Sequence, residues 1–168
     1  METNSVAFFK GQNYPDLLDK PLVAAWKVKN PGNVGSLMRL VDNVGGDTLI
    51  LVDDENSKRE ASIRKTAGLS YKNVQLVYES SAEFFKMIPA DFTLVAIETS
   101  EQSQNIFATK LPAKIAFLLG SEMHGLPPDL IQKCQQSVHI PMTGKCKSMN
   151  ISHALAVSLF EWQRQQLF

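Results

Sequence analysis

Three polar segments, each following an apolar run, hold the residues best suited to chemistry. The first is NPGNVGSLMR, from Asn30 to Arg39. Pro31-Gly32 signals a turn, and Asn33 or Ser36 suits the cap of a following helix. Arg39 falls one to two turns into that helix. Two readings stand for it: an arginine snorkelling over a sheet edge, or a planar fork that holds a phosphate or carboxylate. The second segment is LLGSEMHGL, from Leu118 to Leu126. Gly120 permits close backbone approach to a ligand. Glu122 supplies a carboxylate, and His124 is a base or a polar loop residue. The third is IPMTGKCKSMNIS, from Ile140 to Ser152. Ser148, Asn150 and Ser152 offer capping oxygens. Lys145 and Lys147 meet either phosphate or solvent.

Other chemistries lack their residues. GxGxxG is absent, and so is the GxSxG nucleophile elbow. His124, Cys134, His139, Cys146 and His153 match no CxxC, HExxH or zinc-finger spacing, so no metal is expected. No cysteine–histidine catalytic signature accompanies Cys146.

The surrounding pattern says what must position these loops. Apolar runs at Pro21–Val28, Thr48–Val52, Val74–Tyr78, Phe92–Ile97, Lys114–Leu119 and Val138–Ile140 read as strands. Helical stretches separate them: Val34–Val44, Ser57–Gly68, Ser81–Ile88, Pro127–Cys134 and a closing Ile151–Gln165. Alternation of this kind defines an α/β fold with a largely parallel sheet covered on both faces. Ligands then bind at the carboxyl edge of the strands, where all three segments lie.

Residues 1–20 read as an extension holding a short helix near Asn4–Lys10, and residues 21–168 as a single domain. A chain of 168 residues buries about two-thirds of its unfolded surface and needs no metal or disulfide staple. No apolar run is long enough for a membrane span, and no signal peptide is evident. Two cysteines make no disulfide framework, so a cytoplasmic location is expected. Basic and acidic residues number 17 each, which argues against tail-driven nucleic-acid binding. A local cluster remains: Lys58, Arg59, Arg64, Lys65 and Lys72, with Glu60 as the one acid. Such a run is a solvated face or a track for an RNA backbone.

Taken in order, the three segments resemble the three motifs of the SpoU-type, or TrmH-like, RNA ribose 2'-O-methyltransferases of the SPOUT class. The likeness runs from about Pro21 to Gln163. It implies a parallel-sheet fold with a C-terminal trefoil knot, which pattern reading alone would reject. It also implies S-adenosylmethionine as methyl donor. By motif match the cofactor would meet Ile97, Glu98, Thr99, Gly120, Ile140, Ser148 and Met149. The catalytic set would be Arg39, Asn30, Glu122, Ser148 and Asn150. RNA would meet Lys58, Arg59, Arg64, Lys65, Lys145 and Lys147.

The resemblance further implies a homodimer in which each site receives Arg39 from the opposite chain. The closing helix supports pairing, because Ile151, Leu155, Leu159, Phe160 and Trp162 exceed one apolar stripe. Arginine stays protonated under ordinary conditions. Either Arg39 holds an RNA phosphate that takes the proton, or an unusually placed guanidine does so. The short chain, without the N-terminal RNA-binding domain of many relatives, points to tRNA as substrate. Ribosomal RNA is the alternative, and a non-catalytic RNA-binding protein or a base-directed SPOUT enzyme are the competing readings.

Overall fold

Short β-branched runs become five-residue strands here because both faces of the sheet are covered, leaving no polar alternation. In the computed structural model, which describes residues 4–12, 14–15, 17–53 and 60–168, seven strands form one sheet. They are β1 (Leu22–Trp26), β2 (Thr48–Val52), β3 (Gln75–Glu79), β4 (Thr93–Ile97), β5 (Gln104–Asn105), β6 (Ile115–Leu119) and β7 (Gln136–His139). The order is β3-β2-β1-β6-β4-β7-β5. Every pairing is parallel.

Parallel register brings the functional loops together. Leu119 pairs with Ala25 on one side and Ile97 on the other, and Ile97 pairs with Val138. The chain therefore leaves β1, β4, β6 and β7 side by side at one edge. β7 lies between β4 and β5, so the later strand is inserted between two earlier ones. The connection 98–103 joins the two strands that flank it.

Helices α1 (Asn4–Lys10), α2 (Pro31–Asn43), α3 (Glu60–Ala67), α4 (Ser70–Asn73), α5 (Ser81–Met87), α6 (Pro128–Ile131) and α7 (Ile151–Leu167) complete the chain. One core joins Leu37, Met38, Ile63, Leu155, Leu159 and Trp162 to one sheet face. The opposite face packs Phe84, Leu130 and Ile131.

Several expected boundaries shift for local reasons. Pro31-Gly32 is the first turn of α2, since proline at the first helical position loses no needed N–H. Asn30 is the cap: its side chain accepts from the Gly32 amide at 2.8 Å. Neither Asn33 nor Ser36 caps; the Ser36 hydroxyl donates to the Gly32 carbonyl instead. Likewise Asn150 caps α7 through the Ser152 amide at 2.8 Å, and Ser148 and Ser152 do not. Residues 57–59 of the expected third helix lie outside the described residues; the helix is described from Glu60. The helix expected over Pro127–Cys134 is shorter, Pro128–Ile131.

The closing helix also differs from expectation. Ile151, Leu155, Leu159 and Trp162 are buried within the chain, and Trp162 donates its indole N–H to the Pro112 carbonyl at 2.9 Å. Only Phe160 of the five stays outside, 48% exposed. Excess apolar surface on α7 is thus no argument for a partner.

Candidate functional site

A cleft of about 260 Å³ opens at the carboxyl edge of the sheet. Ile97, Glu98 and Thr99 line it from the end of β4, Gly120 and Glu122 from the loop after β6, and Ile140, Ser148 and Met149 from the loop after β7. All seven residues expected to hold a cofactor therefore share one wall system. Lys147, His139 and Met142 line it too. Its size lies near the lower end of the roughly 300–1,000 Å³ typical of small-molecule pockets.

The loop after β6 is a tight hairpin. Ser121 and Gly125 exchange two backbone hydrogen bonds, at 3.2 and 3.0 Å. Gly125 turns the chain with φ +63°, a region that favours glycine. Gly120 has a different reason from the one expected. A Cβ there would lie 2.2 Å from the Gly125 carbonyl carbon and 2.4 Å from the Leu126 nitrogen. The protein's own backbone, rather than a ligand, demands glycine at 120.

Two carboxylates fasten the hairpin. Glu122 accepts from the Asn30 amide at 3.1 Å, the Lys29 amide at 3.2 Å and the Asn33 side chain at 2.9 Å. Partial burial pushes its carboxyl up, and these donors together pull it down further, so it sits below the ordinary glutamate value. A negative charge at the start of α2 also suits the helix dipole. Glu98 accepts from the Leu126 amide at 2.7 Å and the Thr99 amide at 2.9 Å. Expected as a cofactor ligand, it is occupied by backbone on both oxygens.

Asn33 ties the third loop to the other two. Its oxygen accepts from Asn150 Nδ2 at 3.2 Å while its nitrogen serves Glu122. Sequence reading gave it only a possible capping role. The signal available was an amide side chain one turn into the helix, close to where the loops converge. His139 adds a further tie. Its Nδ1 lies 3.1 Å from the Ser103 carbonyl oxygen. Ser103 Oγ lies 2.9 Å from the same nitrogen.

The remaining expected residues are dispersed. Asn30 and Asn150 stand beside the cleft as caps tied into this network. Arg39 does not line the cleft. It is the ninth residue of α2, about 12 Å along the helix from its first residue. It is exposed, with no side-chain hydrogen bond or ion pair among the described residues. His124 is exposed and off the cleft. Arg64 pairs with Glu60 at 3.6 Å and lies 4.8 Å from the Tyr71 ring centroid. Lys65 and Lys145 are exposed. Lys58 and Arg59 lie outside the described residues. Among the described residues, no group of three or more His, Cys, Asp or Glu could hold a metal, and no helix is long and apolar enough to cross a membrane.

The same architecture occurs in solved proteins. The AdoMet-bound rRNA methyltransferase from Sinorhizobium meliloti superposes with a TM-score of 0.80 at 25% identity, over 94% of this chain and 63% of that one. The TrmH/SpoU tRNA modifying enzyme of A. aeolicus gives 0.77 at 25% identity, over 89% of this chain and 77% of that one. The fold is that of a SPOUT-type methyltransferase, a class that draws its methyl group from S-adenosylmethionine (AdoMet). Residues 20–160 match the family described as SpoU rRNA Methylase, and the chain belongs to that family. Among curated proteins, the 23S rRNA (guanosine-2'-O-)-methyltransferase RlmB of Salmonella typhi is 26% identical over 163 residues. That match takes in 94% of this chain and 67% of the relative.

Proposed function

We propose that this protein methylates a ribose 2'-hydroxyl of ribosomal RNA, using S-adenosylmethionine. The observation that carries the reading is the cleft at the carboxyl edge, lined by the loops after β4, β6 and β7, with Glu98 tying the first two and Asn33 linking the last two from α2. Its donor set fits the cofactor. Ile97, Leu119 and Ile140 provide apolar walls for an adenine, and Glu98 and Glu122 bring negative charge toward a cationic sulfur compound. When bound, S-adenosylmethionine supplies a methyl group on a positively charged sulfur. The chain's task is to hold the hydroxyl oxygen in line with that methyl group and to exclude water.

The tRNA preference expected from chain size gives way to ribosomal RNA. The family description and the curated relative both name rRNA. Transfer RNA stays the second reading, favoured by the likeness to the A. aeolicus enzyme.

Two finer features belong to the same proposal. Segment 140–150 threads beneath the 98–103 connection to make the trefoil knot, as the insertion of β7 between β4 and β5 suggests. A homodimer completes the site, with Arg39 of one protomer reaching the cleft of its partner. In support, Arg39 lies off its own cleft and has no partner among the described residues. There it would hold a phosphate of the RNA beside the reacting ribose.

The test is incubation with labelled S-adenosylmethionine and separate rRNA and tRNA fractions from cells lacking the protein. Digestion to nucleosides then identifies the product. A 2'-O-methylnucleoside from rRNA is expected. A methylated base, or no transfer to either RNA, would overturn the reading.

A further inference from the structure

The cleft holds one ammonium, and among the described residues no carboxylate pairs with it. Lys147 lines the wall, and its Nζ donates to the carbonyl of Met142, another wall residue. This bond ties the exposed side chain back to its own loop. One of three N–H donors is used. The two cleft carboxylates are engaged elsewhere: Glu98 with the amides of Thr99 and Leu126, Glu122 with the start of α2. Among the described residues, Lys147 has no carboxylate within ion-pair distance. A positive group fixed on a cavity wall without a counter-charge is set up for a ligand that brings one.

We propose that Lys147 binds the carboxylate of the amino-acid arm of S-adenosylmethionine, and is not an RNA-phosphate contact. The inference rests on the cleft being the cofactor site. The carboxylate lies at the far end of the amino-acid arm from the nucleoside. Ile97, Leu119 and Ile140, the apolar walls for the adenine, line the same cleft as Met142 and Lys147. Charge pairing here selects the intact cofactor over its adenosine-containing fragments. Lys147 is a binding residue that anchors one end of the cofactor, and the methyl group is left to other parts of the site.

Two ligands separate the possibilities: S-adenosylmethionine, and 5'-methylthioadenosine, which keeps the nucleoside and sulfur but has no carboxylate. Calorimetric titration of the protein and of its Lys147→Ala and Lys147→Arg variants measures both affinities. Lys147→Ala should weaken S-adenosylmethionine about tenfold or more, the worth of a charge-assisted hydrogen bond. It should leave methylthioadenosine within about twofold, well under the 1.4 kcal/mol of a tenfold change. Lys147→Arg should retain most of the affinity for the intact cofactor. Equal loss of both ligands would make Lys147 a loop brace acting through Met142 and overturn the proposal. Unchanged affinity for both would overturn it as well. Failure of the unaltered protein to bind either ligand would defeat the cofactor-site reading itself, and this inference with it.

Discussion

Asn33 donates its side-chain N–H to Glu122 at 2.9 Å across 89 positions of sequence. With its oxygen it receives Asn150, 117 positions away. One amide thus uses a donor and an acceptor to fasten the segments that frame the cleft. Removing it takes one of two donors from Glu122 Oε1 and the acceptor from the Asn150 amide at once. We expect Asn33→Ala to lower stability by about 1–3 kcal/mol. Asn33→Asp should be worse, because it sets a second negative charge against Glu122. Chemical denaturation of both variants measures this, and midpoints matching the unaltered protein would refute it.

Glu122 makes part of this stability dependent on pH. Its carboxyl is lower in the folded protein than in the unfolded chain, since the donors around it outweigh burial. Its contribution is therefore complete above the unfolded glutamate value of about 4.3 and disappears as pH falls through the lower folded value. The advantage of the unaltered protein over Glu122→Gln should be full at neutral pH and shrink in acid. Unfolding curves between neutral and strongly acidic pH would show a constant gap if the carboxylate were uncoupled.

Substitution of Gly120 should be felt in folding and binding together. A methyl group there meets the Gly125–Leu126 backbone, not an open cleft. Gly120→Ala should cost about 1–3 kcal/mol, as overpacking does. Cofactor affinity should fall in parallel as the hairpin shifts. Thermal unfolding paired with calorimetry would detect the alternative, a stable variant with selectively lost affinity.

Arg39→Ala should bind cofactor normally and lose methyl transfer. Arg39→Lys should recover little, because lysine lacks the bidentate fork. If the arginine serves the neighbouring protomer, mixing Arg39→Ala with a variant blocked at the cleft wall, Ile140→Arg, restores one working site per mixed dimer. Light scattering would establish pairing. A mixed dimer with no recovered activity would remove the shared site.

Lys65 and Lys145 are the exposed cations best placed to be free for RNA, since Arg64 already serves Glu60 and Tyr71. Replacing both with alanine should reduce the slope of log affinity against log salt by about 1.4 to 1.8. An unaltered slope would return both lysines to the solvated surface.

The residues that spoke most clearly in sequence were those whose environment is uniform. Thr48–Val52 alternates β-branched residues with leucine, and it forms β2 with the expected bounds. Ser81–Met87 ends before Pro89, as the missing proline N–H requires. Gln104–Asn105 gave no such signal. Both are exposed and polar, and they form a strand only because β7 offers a pairing edge. The cleft residues were legible as a set, because three polar loops must converge where parallel strands end. Their individual roles were less so. Asn30 and Asn33 have the same side chain three positions apart, and only the distant Glu122 and Asn150 distinguish cap from bridge. Gly120 looked like a ligand-facing glycine because the backbone that crowds it returns only after the hairpin turn.

The tie between Trp162 and Pro112 bears on how the protein is made. Gln165 reinforces it, donating to the Thr109 carbonyl at 3.0 Å and accepting from the Leu111 amide at 2.8 Å. The last helix therefore braces the run that leads into the central strand β6, while its first residue's cap closes the cleft network. A growing chain on the ribosome gains the final member of that network only when residue 150 emerges. Until then the binding site of the nascent protein stays unassembled, and long-range closure of this kind makes folding slow. Capacity to bind cofactor should then appear in one step once residue 150 is free to fold, rather than accumulate with chain length.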